Sequence, residues 1–211
     1  GSLGGRDEFW TGTIFAESVT VECYCPPDVD PEKVALTADR AIHIYRDPAA
    51  PAKEGTCHND VACYPAWVAT GNGVAGIGTV GDSGYMWCTG CLLNDQAPAT
   101  YIDYFMTANH CVGSQSEAND LEFYWFYQVA SCNGSPPSIA AVPTTDGGAD
   151  YLAGRTYNVA NDFSFLRLRS DPPGGVTYAG WSVATPSGSE TLAGIHHPDG
   201  AYKRISFANL D

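Results

Sequence analysis

Charge is scarce in this chain and basic charge scarcer. Charged residues make up 16% of 211 positions, and 10 Lys and Arg stand against 24 Asp and Glu, for a net charge of −14. A surface of that sign repels phosphate backbones, so nucleic acid is not an expected partner. No run approaches the roughly 18 consecutive apolar residues of a membrane helix, and no membrane partner is expected either. Repeats and low-complexity segments are absent, and hydrophobic residues at 44% place the chain among folded proteins rather than disordered ones. The start at Gly1-Ser2 shows no signal peptide, which by itself says nothing about export. No Asp/Glu cluster has the ligand spacing of a calcium loop.

Cysteine, by contrast, is plentiful: Cys23, Cys25, Cys57, Cys63, Cys88, Cys91, Cys111 and Cys132. Zinc is one explanation, because Cys88-Thr89-Gly90-Cys91 fits a half-site that Cys23/Cys25 or Cys57-His58 could complete. A second CxxC or an HxxxH is lacking, which favours disulfides and an oxidising compartment, extracellular or periplasmic. No cofactor is expected.

Few segments read as helical. Gly (23) and Pro (14) punctuate short runs rich in Val, Ile, Thr, Tyr and Phe, the pattern of an all-β sandwich or barrel. Residues 18–25 alternate, with Val19, Val21, Cys23 and Cys25 on one face, until Pro26-Pro27 ends the run. A second run covers 34–45. Further strands are expected at 67–70, 74–80, 85–93, 101–108, 121–129, 139–143 and 163–169, enough to close a small barrel. Asp171-Pro172-Pro173-Gly174-Gly175 then breaks the pattern, and 178–183, 191–196 and 201–207 supply two or three strands, too few to bury their own apolar faces. The expected division is an N-terminal β accessory or pro-region over 1–56, a first barrel over 57–170, and a linker with the opening strands of a second barrel over 171–211.

Two segments carry the chemistry. In Tyr104-Phe105-Met106-Thr107-Ala108-Asn109-His110-Cys111 an apolar strand runs into a His whose neighbour is a Cys. In Asn161-Asp162-Phe163-Ser164-Phe165-Leu166-Arg167-Leu168 a single Asp opens a strand. In this order the two resemble the trypsin-like serine peptidases, in particular the bacterial lysyl-endopeptidase branch. Cys57-His58-Asn59-Asp60-Val61-Ala62-Cys63, Cys88-Thr89-Gly90-Cys91-Leu92-Leu93-Asn94-Asp95, and Phe123-Tyr124-Trp125-Phe126-Tyr127 through Cys132 agree with that branch. So do Tyr178-Ala179-Gly180-Trp181, Ile195-His196-His197-Pro198 and Lys203-Arg204-Ile205-Ser206, and the resemblance covers 57–207.

It implies a trypsin-like double β-barrel, the first barrel complete and the second partly present, acting as a secreted endopeptidase on polypeptide substrates. His110 would be the general base and Asp162 would hold its tautomer. The nucleophile is harder to place. Gly81-Asp82-Ser83-Gly84 mimics a protease signature, yet Ser83 precedes His110, whereas this fold runs His, Asp, Ser; the run reads as a hairpin turn. Ser187, Ser189 and Ser206 have the wrong setting, so the serine is expected beyond Asp211, and this chain alone is expected to be inactive. The resemblance implies disulfides Cys88–Cys111 and Cys63–Cys132. Cys57 would link to a C-terminal chain or segment completing the second barrel, and a bond from the N-terminal zone to Cys91 is a further expectation. His196-His197 would be structural, since neighbours on a strand point to opposite faces. The rival reading is a non-catalytic binding or structural protein that keeps His110 and Asp162 as relics.

Overall fold

Alternation along the strands decides which side chains turn inward, and the computed structural model shows it over residues 10–38, 41–42, 55, 57–81, 84–97, 99–159, 161–186, 188 and 190–210. The strands are β1 (Asn59–Asp60), β2 (Val74–Gly81), β3 (Gly84–Leu93), β4 (Tyr104–Thr107) and β5 (Glu122–Tyr124). They continue with β6 (Thr144–Thr145), β7 (Ala149–Arg155), β8 (Phe163–Leu168), β9 (Thr191–His196) and β10 (Arg204–Asn209). Two short helices, α1 (Pro65–Gly71) and α2 (Gln115–Ala118), lie between them. The larger sheet has seven strands in the order β6-β5-β2-β3-β4-β8-β7, and the smaller has three in the order β1-β10-β9. Every strand pairing in both is antiparallel.

The seven-stranded sheet closes over one apolar core of Ala75, Ile77, Leu92, Phe105, Val112, Leu121, Phe123, Trp125, Leu166 and Leu168. In β4, Phe105 and Thr107 face in while Tyr104 and Met106 face out; in β8, Ser164, Leu166 and Leu168 face in. The Phe105 ring meets Phe123 edge-on at 5.0 Å. Gly90 in β3 makes room for it, since a Cβ there would run into the Phe105 ring and the Met106 carbonyl. Glycine is used for close approach, not for turning.

Several expectations needed correction. Residues 67–70 lie in α1, where Pro65 occupies the first turn with its φ already set for a helix. Residues 139–143 begin as a 3-10 turn, Ile139–Ala141, and only the next two residues form β6. The run 121–129 keeps its burial but not its ladder: Trp125, Tyr127 and Val129 are buried, while Phe126 adopts φ 55° and takes the chain out of extended geometry. Strand β7 was not foreseen; it follows Gly147-Gly148, both at positive φ, and its Ala149, Asp150 and Gly154 are poor strand formers held by pairing with β8. Residues 178–183 form no strand; a single bridge, Leu93 to Ala179, pairs them with the larger sheet, and Tyr178 packs against its core.

The expected N-terminal β-unit is not found among the described residues before 57. Residues 18–25 carry no strand, with Val19 and Val21 exposed, and of the 34–45 run the described positions 34–38 and 41–42 carry no strand either; the rest lies outside the described residues. Alternation alone does not make a strand when nothing covers its apolar face. The N-terminal segment is seated at Trp10, whose backbone N–H donates to Asp120 Oδ1 at 3.3 Å, and at Thr13, which donates from its backbone N–H and its Oγ1 to Glu122, a buried carboxylate that also accepts from the Tyr124 hydroxyl at 3.0 Å.

A wholly buried lysine one residue before β10 ties the small sheet to α1 and to the segment after β5. Lys203 Nζ donates to the Gly71 carbonyl at 2.6 Å and to Gln128 Oε1 at 3.1 Å, and no carboxylate pairs with it among the described residues. Burial pushes its amine down to about 7. Below that pH the amine is charged in both states. Between about 7 and the usual 10.5 the unfolded chain holds a proton that the folded chain has released, so stability rises with pH across that window. From pH 7 to pH 9 this one lysine should add about 2 kcal/mol, read as the difference between wild type and Lys203→Met in urea unfolding at the two pH values. Parallel pH dependence in the two proteins would remove the argument.

Candidate functional site

The pairing of β4 with β8 explains how residues 52 positions apart in sequence meet. The strands are antiparallel with Thr107 opposite Ser164, so the outgoing end of β4 lies against the incoming end of β8. His110 stands three residues past β4 and Asp162 one residue before β8. His110 Nδ1 is 2.5 Å from Asp162 Oδ2, and the His110 backbone N–H donates to Asp162 Oδ1 at 3.0 Å. The bond from the imidazole is the main reason the Asp162 carboxyl sits below the usual carboxylate range, with backbone N–H groups of His110 and Asn109 assisting. The His110 side chain is 58% exposed and its Nε2 has no hydrogen-bond partner among the described residues. The pair therefore presents one ring nitrogen to solvent while the carboxylate occupies the other.

One of two disulfides adjoins this arrangement. Cys88 in β3 bonds Cys111, the residue after His110, and Cys63 bonds Cys132 across a separation of 69. Around the second, buried Asp60 accepts from the Asn133 N–H at 2.8 Å and from the Arg204 guanidinium, which also donates to the His58 carbonyl at 2.8 Å. Cys23, Cys25, Cys57 and Cys91 are free thiols. The expected bond from the N-terminal zone to Cys91 is thus absent; Cys91 lines a cleft with Trp67, Val74, Met106 and Ile195, and burial pushes its thiol up. Among the described residues one group of three such side chains brings its ligand atoms within 4.8 Å, Cys88, His110 and Cys111, and its two sulfurs are bonded to each other, so that group offers a metal no thiolate.

Of the serines weighed as nucleophile, one lies among the described residues. Ser206 lies within β10, its Oγ on the Cys57 carbonyl at 3.3 Å. Ser83, Ser187 and Ser189 lie outside the described residues; on either side of the first, Gly81 and Gly84 are the last register pair of β2 and β3. His196 and His197 diverge. His196 meets the His58 ring edge-on at 4.9 Å, whereas His197 is buried with Nδ1 3.0 Å from the Ala201 carbonyl, and burial pushes it down to about 3.

Sequence reasoning missed the polar group beneath His110. Asn109 Nδ2 donates to the Tyr151 hydroxyl and to Ser164 Oγ, both at 3.0 Å. The usable signal was Ser164, a polar residue in the inward row of β8 beside Leu166 and Leu168.

The family model for the lysyl endopeptidase C-terminal domain matches residues 52–211. The chain belongs to this lysyl endopeptidase family. A lysyl endopeptidase of Pseudomonas aeruginosa is 31% identical over 220 residues, covering 96% of this chain and 46% of that protein. Secreted RxLR effector protein 73 of Plasmopara viticola is 28% identical over 138 residues, covering 56% of this chain and 33% of that protein. The chain thus spans less than half the length of these curated relatives. Among solved structures, a thermostable serine protease AL20 from an extremophilic microorganism covers 67% of each chain at 14% identity and a TM-score of 0.42. A scabies mite inactivated protease paralogue, S-I1, covers 68% of this chain and 63% of its own at 13% identity and a TM-score of 0.45. The architecture is mostly β, as expected, with a seven-stranded sheet beside a three-stranded one.

Proposed function

We propose that this chain is the His- and Asp-bearing portion of a secreted serine endopeptidase that cleaves polypeptides through a Ser-His-Asp triad. The observation that carries it is the His110–Asp162 pair, Nδ1 to Oδ2 at 2.5 Å with Nε2 turned outward. In that arrangement Nε2 takes the proton of an attacking serine and returns it to the leaving amine, while Asp162 holds the Nδ1–H tautomer and faces the positive ring as it forms. The products are an acyl-enzyme and a free amine, and water then releases the acid. Two disulfides support an oxidising destination, extracellular or periplasmic.

The serine belongs, on this reading, to a segment following Asp211 that completes the second barrel. Support comes from the sheet itself: among the described residues β9 pairs only with β10, and Leu192 on β9 and Phe207 on β10 are exposed. A sheet edge with apolar neighbours invites a further strand. Exposed Cys57 is a free thiol available to tether that segment. Residues 57–170 would then be the first barrel, 171–211 the start of the second, and 1–56 a pro-region.

The test is labelling with a fluorophosphonate, read by intact mass with and without reduction. The full-length precursor or its processed form should take one label on a serine outside residues 1–211, and the 211-residue chain alone should take none. A folded full-length protein that takes no label would replace the protease reading with a non-catalytic scaffold.

A further inference from the structure

The His110 loop is tied down by Asp162 and by the Cys88–Cys111 disulfide, and also by a set of neutral groups that the triad does not use. Asn109 is 7% exposed and Ser164 is 0% exposed. The two N–H bonds of Asn109 Nδ2 are both assigned, one to the Tyr151 hydroxyl and one to Ser164 Oγ, each at 3.0 Å. The Ser164 hydroxyl hydrogen goes on to the Val112 carbonyl at 2.5 Å. Asn109 precedes His110 and Val112 follows it by two residues, so the loop bearing the imidazole is gripped on both sides of the ring. Ser164 in turn lies two residues past Asp162, in the strand that Asp162 immediately precedes.

The grip is itself supported. Tyr151 is held through its backbone N–H, which donates to Gln115 Oε1 at 2.9 Å, while Gln115 Nε2 donates to the Ala149 carbonyl at 3.0 Å. Gly154 leaves the space where Tyr151 and Asn109 meet; a Cβ there would overlap the Tyr151 hydroxyl and come within 2.9 Å of Asn109 Nδ2. An apolar residue at Asn109 would leave the buried Ser164 Oγ and the hydroxyl of half-buried Tyr151 without their donor. An aspartate of the same shape would place acceptors where two N–H groups stand, and would compete with Val112 for the Ser164 hydroxyl.

We propose that Asn109 is a positioning residue: through Ser164 and Tyr151 it fixes the His110 loop against β7 and β8 so that the imidazole meets Asp162 in register. The inference rests on reading His110 and Asp162 as the catalytic pair, and its test separates the two. The first readout needs no activity. In the 211-residue chain, Asn109→Asp should accelerate solvent exchange of the His110 Nδ1 proton by about tenfold or more in ¹⁵N NMR, because that bond opens more often when the loop is loose. Circular dichroism should stay unchanged. The second readout uses the full-length protein, where Asn109→Asp should slow fluorophosphonate labelling and lower kcat roughly 10- to 100-fold with KM nearly constant, as misplaced geometry does. If Asn109→Asp does not fold, Tyr151→Phe, which deletes one acceptor and keeps the ring, carries the same two measurements. Wild-type exchange and wild-type labelling rate in a folded variant would overturn the proposal. No labelling of full-length wild type would instead strike the protease reading, and faster exchange in the variant would still stand as a structural result.

Discussion

Asp162→Asn should lower kcat of the full-length protease by about 10⁴-fold while leaving the fold in place. The size of the effect follows from which donors Asp162 serves. One carboxylate oxygen accepts the His110 backbone N–H and the other faces His110 Nδ1. An asparagine has one oxygen and one NH₂ to set against them. The backbone N–H cannot reverse its role, so the amide oxygen must take that side and the NH₂ must face the ring. Nδ1 then has to accept, and the ring proton moves to Nε2. An imidazole protonated at Nε2 has no lone pair there to receive the serine proton, although every heavy atom keeps its place. Substrate binding, which does not depend on the tautomer, should leave KM within a few-fold of wild type. The Asp162 carboxyl is held low by this same bond, so its contribution to the pair is present above the ordinary value of 3.8 and is lost only as pH falls below that. The measurement is steady-state kinetics with a peptide substrate from pH 6 to pH 10. A loss smaller than tenfold would mean that the pair does not act as a base and its orienter.

The pair was legible in the sequence because each member stands at a strand terminus flagged by its neighbours: apolar residues leading to His110, and an apolar alternation leading away from Asp162. The same logic found both strands, since β4 and β8 bury every second residue against Phe105 and Leu166. Strand β7 escaped notice because Ala149, Asp150 and Gly154 owe their extended form to β8 rather than to their own preferences. Residues 18–25 failed in the opposite direction, with strong local alternation and no sheet to receive it. At the site the missed residue was Asn109. Its value comes from Tyr151 and Ser164, 42 and 55 positions away, and a single position in a strand end does not announce such partners. Lys203 was read as a motif residue; its burial depends on the carbonyl of Gly71 and the amide of Gln128, which only the assembled sheets bring together.

The two disulfides should separate stability from site geometry. Loop-closure entropy scales with the logarithm of the loop, so the 69-residue separation of Cys63–Cys132 is worth about 4 kcal/mol and the 23-residue separation of Cys88–Cys111 about 3 kcal/mol. Replacing Cys63 and Cys132 together by Ala should therefore lower Tm by roughly 10 °C in a chain of this size. The damage should start at the junction of the two sheets, where Asp60 still bonds Asn133 and Arg204 but Asn59 and Asp60 pair with β10 over only two residues. His110 and Asp162 are held by β4, β8 and the other disulfide, so the exchange of the His110 Nδ1 proton should change little. The Cys88→Ala, Cys111→Ala pair should show the reverse order: a smaller fall in Tm, and faster exchange at His110, because Cys111 is its immediate neighbour. Calorimetry and ¹⁵N NMR on the two double variants give both rankings at once. If removing Cys63–Cys132 disturbed His110 more than removing Cys88–Cys111 did, the ring would be held from the sheet junction, and the account of a site built locally on β3, β4 and β8 would fall.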